Sequence, residues 1–145
     1  MPIVSIIWFV ATLMVQAPAA SPAAPPSLDF DFYRNRVEPI FLAVRPGHAR
    51  CYACHSQGTP MRLQLLSPGS AAWNEEESRK NFEAVRRMVA SRDPLKSPLL
   101  LHALATEAGG DLFHNGGKHW SSQDAPEWQT LAVWVRGQTP SGAAR

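Results

Sequence analysis

Apolar positions recur along this chain at helical spacing. In "DFDFYRNRVEPIFLAV", residues 29–44, Phe30, Tyr33, Val37 and Phe41 form one stripe of a helix. Pro39 falls inside that stripe and predicts a kink or split, because it lacks an N–H and its ring crowds the turn before it. Farther on, Asn74 precedes Glu75, Glu76 and Glu77, a cap followed by an acidic first turn. Phe82, Val85, Met88 and Val89 give that helix its apolar face, and Asp93-Pro94 should stop it. Ser97-Pro98 opens a short helix through "PLLLHALATEA", closed by Gly109-Gly110. In the last helix Trp128, Leu131 and Val135 share a face, with Trp134 beside them. Its start, Asp124-Ala125-Pro126-Glu127, predicts a capping box, and Gly137 its end. Residues 56–73 and the stretch "GGDLFHNGGKHWSS" are loops by their Gly and Pro content. No period-two run interrupts this pattern, so the expected fold is all-α with long loops.

The first residues follow a different rule. "IVSIIWFVATLMV", residues 3–15, is an apolar run with no polar face. It is shorter than the roughly 20 residues of a membrane span, and it suits the core of an export signal. Ala17-Pro18-Ala19 fits a small-x-small cleavage site, although no Lys or Arg precedes the run. Residues 1–20 therefore read as a signal peptide, with an uncleaved anchor as the alternative. Residues 21–28 read as a Pro/Ala linker, 29–138 as the folded domain and 139–145 as a flexible tail. The chain has 145 residues, the length of one domain, and its 45% hydrophobic and 18% charged content is ordinary for a globular protein. A formal charge of +2 argues against nucleic acid as a partner. The membrane is a partner only if the N-terminal segment is retained.

Chemistry concentrates in "CYACH", residues 51–55, which holds both cysteines of the chain. A thioredoxin-type dithiol needs a βαβ context that the pattern lacks. A structural zinc site needs four ligands, and no spacing supplies the other two. A local disulfide in an exported protein is the plain alternative. Covalent haem attachment accounts for more of the motif. Two thiols one helical turn apart suit the two vinyl groups of a haem, and His55, four residues after Cys51, lies on the same side and reaches the iron.

Three stretches, "VEPIFLAVRPGHARCYACHS", "DPLKSPLLLHAL" and "HNGGKHWSSQDAPEWQTLAVWVRG", together resemble the cytochrome c domain. Within it, they resemble the small cytochrome c-like domains of Acidobacteria and Planctomycetes. The resemblance spans roughly residues 29–138. It implies a small helical domain enclosing one haem c, with the first and last helices packed together and Phe41 and Trp134 at that contact and in the haem pocket. Many cytochromes c carry a Met ligand in the loop before the last helix. Here that loop reads "FHNGGKHW", and the resemblance puts His114 in the slot.

The ligand facing His55 is therefore expected to be His114, with His119, His102 and Met61 as alternatives. Met88 reads as core and His48 as a loop residue. Gly109, Gly110, Gly116 and Gly117 would let backbone approach a flat macrocycle. Lys118 and Trp120 are candidate donors to its propionates. The expected function is electron transfer by a periplasmic monohaem cytochrome with two histidine ligands, not substrate conversion. Redox proteins are the expected partners, a membrane respiratory complex among them. The alternatives are an open-site haem enzyme or sensor of gas or peroxide, and a haem subunit of a membrane complex.

Overall fold

A computed structural model describes residues 27–139. The expected signal segment and nearly all of the linker and of the tail lie outside the described residues. Within them the fold is all-α, with helices, long loops and two isolated backbone bridges, Arg45 to His48 and Leu104 to Trp120. No described helix is long and apolar enough to cross a membrane.

The first helix accommodates Pro39 by changing pitch. It runs as α1, Phe30–Phe32, a π turn over Tyr33–Val37, and α2, Glu38–Leu42. The Asp29 carboxylate caps it by accepting the Phe32 N–H at 2.7 Å. Within the π turn the Glu38 N–H reaches back five residues to the Tyr33 carbonyl. The wider turn loosens the ladder just ahead of the proline, so the predicted kink becomes a π bulge rather than a break. It also stacks Glu38 above Tyr33 on the buried face.

Pro46-Gly47 turns the chain, with the His48 N–H on the Arg45 carbonyl at 3.1 Å, and leads into α3, Cys51–His55. Helix α4, Glu75–Arg86, starts with a complete capping box: Asn74 accepts the Glu77 N–H at 3.0 Å and Glu77 accepts the Asn74 N–H at 2.9 Å. It ends at Arg86, well before Asp93. The following backbone is taken by the next segment, through Leu99 N–H to the Met88 carbonyl and Ala90 N–H to Ser97 Oγ. Helix α5 is a single turn, Pro98–Leu101, shorter than its sequence suggests. The Ala103 carbonyl instead accepts the N–H groups of His119 and Trp120, and the Ala105 N–H donates to the Trp120 carbonyl at 2.8 Å. This pairing draws the chain out of the helix and leaves a 3-10 turn over Thr106–Ala108.

Helix α6, Pro126–Val135, starts without a side-chain cap. The expected capping box does not form: the first helical residue is Pro126, so Asp124 is one position too far out. Trp134 is fully buried between Tyr33 and Phe82, with ring centres at 5.5 and 5.9 Å. Its indole N–H donates to the Asp29 carbonyl at 2.9 Å, pinning the last helix to the start of the first. Leu131 and Val135 are also fully buried. Replacing Leu131 with Ala removes branched apolar volume from this contact and should cost about 2–5 kcal/mol. Asn74→Ala, which removes an exposed cap, should cost about 1 kcal/mol. Urea denaturation of the two variants should rank them in that order, and equal costs would contradict the placement of the core.

Candidate functional site

One turn of helix, α3, carries the two thiols and an imidazole. Cys51 and Cys54 are free thiols, Cys51 half-buried and Cys54 exposed. Both border a cleft with about 1000 Å³ of empty space, its open mouth included. Its walls are mainly apolar, with Phe41, Met61, Leu99, Ala103 and Trp120 among them. Into this cleft come four histidines, His55, His102, His114 and His119.

His55 is oriented from behind. After α3 the chain doubles back, with the Leu63 N–H on the His55 carbonyl at 2.8 Å. This brings the Met61 carbonyl to 3.0 Å and Thr59 Oγ1 to 2.7 Å from His55 Nδ1, and Thr59 itself donates to the same carbonyl. With a carbonyl as partner, Nδ1 carries the proton and Nε2 keeps its lone pair. His114 is built the same way: its Nδ1 lies 2.7 Å from the Gly117 carbonyl. Among the described residues neither Nε2 has a partner. The two rings are 6.3 Å apart centre to centre, with planes 22° from parallel.

The other histidines differ. His102 stands 6.4 Å from His114 with its ring nearly parallel, and its Nδ1 is held by the Asp111 carboxylate. His119 touches His48, ring centres 4.8 Å apart, and its Nδ1 is buried without a partner among the described residues. Burial, with the positive charge of Arg45 and of neighbouring histidines, pushes the His119 pKa down to about 4. Burial likewise lowers that of His55. Both imidazoles are therefore neutral near pH 7, the form that can donate a lone pair to a metal. The Cys51 thiol is pushed up by burial, which outweighs the opposing pull of Arg45. An activated redox dithiol needs the reverse shift. Among the described residues no three His, Cys, Asp or Glu side chains group as ligands for an ion. The four-ligand zinc reading thus finds no seat there.

Several expected site residues sit elsewhere. Trp134 belongs to the helix contact and not to the cleft wall. Trp120 does line the cleft, but its single donor is spent on Glu127 at 3.0 Å, so it has none left for a ligand carboxylate. Lys118 points to the carbonyls of His102 and Asp111 and is not in the wall. Of the four loop glycines, only Gly116 borders the cleft. A methyl there would come 3.1 Å from the His114 ring, so its absence makes room for that imidazole. Gly110 serves the fold instead, since a methyl would lie 1.9 Å from the Leu104 carbonyl oxygen.

Arg45 escapes sequence reasoning, and Glu127 is read there only as part of a cap. Glu127 accepts from Arg45 Nη2 at 2.6 Å and Nε at 3.0 Å, as well as from Trp120. Arg45 also donates to the Ile40 carbonyl at 2.9 Å and lies 3.8 Å from Cys51 Sγ. The one available signal was negative: an acid in a first turn reads as a cap by default. No family model, characterised protein or solved structure matches this chain. Replacing Glu127 with Ala strands two donors at the cleft wall and should cost about 1–3 kcal/mol in urea denaturation, with Glu127→Gln costing less. An unchanged midpoint in Glu127→Ala would show that this acceptor is dispensable.

Proposed function

We propose that this chain is a monohaem c-type cytochrome that carries electrons between redox proteins outside the cytoplasm. The observation that carries this reading is the spacing of His55 and His114 in one cleft, beside two thiols on one helical turn. A metal–imidazole bond is about 2 Å long, and a ring centre lies about 1.2 Å behind its nitrogen. Two imidazoles on one iron therefore have centres about 6.4 Å apart, close to the 6.3 Å found between His55 and His114. His102 meets the distance to His114 equally well, but His55 alone adjoins the thiols.

The donor set fits the group. Cys51 and Cys54 would serve as tethers, and His55 and His114 offer imidazoles whose Nδ1 is already held by a carbonyl. That second contact fixes ring orientation and makes the ligand more basic. Phe41, Leu99, Ala103 and Trp120 keep water from the cleft wall. A haem iron with two imidazole ligands supplies one-electron exchange at a lower potential than a His/Met pair. With His55 and His114 both holding the iron, no open position would remain for a substrate, and the role would be electron transfer alone. On this reading residues 1–20 export it, and its partners are redox proteins, a membrane respiratory complex among the candidates.

One observation favours a second reading. His102, held by Asp111 within the cleft, is placed as an acid–base group, which an open-site haem enzyme or sensor would use. Rapid carbon monoxide binding by the ferrous protein would select it. On the main reading, His114→Ala turns a low-spin absorption spectrum high-spin, while His102→Ala leaves it low-spin. A low-spin spectrum surviving in His114→Ala would remove His114 from the role. Replacing both cysteines with Ser should let acidified organic solvent extract the haem that the parent chain retains.

A further inference from the structure

A second polar site lies away from the cleft, between the π turn and α4. Tyr33 and Asn81 are fully buried and Glu38 is 5% exposed. Three of their atoms, Tyr33 Oη, Glu38 Oε2 and Asn81 Nδ2, have no hydrogen-bond partner among the described residues. The remaining polar atoms around them are satisfied and fix the geometry. Glu38 Oε1 accepts from Ser78 Oγ at 2.8 Å, which holds the carboxyl against α4. Asn81 Oδ1 accepts the Gln64 N–H at 2.7 Å, which fixes the amide and leaves its NH2 inward. Asn81 is one turn beyond Ser78 on α4. Tyr33 and Glu38 are stacked by the π turn, close enough that the Glu38 charge adds to burial in raising the Tyr33 hydroxyl pKa.

Three orphaned polar atoms in one core are costly, about 1–3 kcal/mol each. Native interiors relieve such groups with buried water. The unmet needs here are mixed: an amide donor, a carboxyl oxygen and a hydroxyl that can do either. A cation would face the amide hydrogens, and an anion would face Glu38. Water can accept from Asn81 and donate to Glu38, with Tyr33 completing the set.

We propose that Tyr33, Glu38 and Asn81 enclose a binding site for one buried water molecule, which hydrates the Glu38 carboxyl inside the core. The titration of Glu38 follows from this setting. Burial pushes its pKa up to about 7, against the Ser78 hydrogen bond and the Arg34 charge and with help from Glu77. Arg34 is itself drawn toward Glu75, 3.5 Å away. Helix α6 faces the region with Trp134, which carries no charge. Between the ordinary value of 4.5 and about 7, folded Glu38 keeps a proton that the unfolded chain has lost. Its contribution to stability therefore falls as pH rises through that window and levels off above it.

The test uses the full chain and does not depend on the haem reading. A crystal structure showing ordered water should place one molecule within hydrogen-bonding reach of all three atoms. Direct bonds among the three groups, or a dry gap, would overturn the proposal. Carbon-13 NMR of the glutamate carboxyls should find one titrating near pH 7, absent in Glu38→Gln. If that variant does not fold, the resonance is assigned through Ser78→Ala, which removes a bond to the ionised form and should move the midpoint higher. All glutamates titrating in the ordinary range would contradict the buried setting of Glu38 and not the water itself, which the crystal structure decides.

Discussion

The Arg45 guanidinium holds together the three segments on which the cleft depends. It reaches the end of the first helix through the Ile40 carbonyl, the last helix through Glu127, and the CYACH turn through proximity to Cys51. Glu127 in turn fixes the Trp120 indole in the cleft wall. A charge pair with 12% and 35% side-chain exposure lies between surface and core. Removing one partner strands the other, which is where such pairs exert their effect. Position relative to the thiols makes this pair more than a fastener: the positive charge opposes the burial that raises the Cys51 thiol pKa.

The histidines around the cleft divide by what holds their Nδ1. Backbone carbonyls hold His55 and His114, a carboxylate holds His102, and His119 Nδ1 has no partner among the described residues. Carbonyl partners leave Nε2 neutral and available, the usual outer-shell arrangement for a metal-binding imidazole. A carboxylate partner at Nδ1 leaves Nε2 equally free, so His102 is set apart from His55 by lying away from the thiols and not by what holds its ring.

Much of the fold was legible from local signals. Asn74 and its glutamates mark the start of α4, and the Phe30, Tyr33, Val37, Phe41 stripe marks the first helix, because caps and periodicity are set by near neighbours. What escaped depends on contacts distant in sequence. α5 stops early because residues 103–105 pair with 119–120, and α4 stops early because its continuation bonds to Ser97 and Leu99. The Asp124–Glu127 signature misled because the helix begins at Pro126, one position later than the box requires, and the Glu127 carboxylate goes to Arg45, 82 residues away. At the site, the CYACH spacing and the candidate His114 could be named from the chain. The partners that fix the rings, the Met61 carbonyl for His55, the Gly117 carbonyl for His114 and the Asp111 carboxylate for His102, could not. Carbonyls leave no side-chain signature, and the Asp111 contact depends on how the loop closes.

The central claim is that two imidazoles, His55 and His114, hold one covalently bound haem. The most direct measurement is the absorption spectrum of the purified chain, oxidised and reduced. The account predicts a low-spin c-type spectrum in both states, without the weak red sulfur-to-iron band of methionine ligation. A high-spin spectrum, a sulfur-to-iron band, or a chain that takes up no haem in a host equipped for its attachment would contradict it.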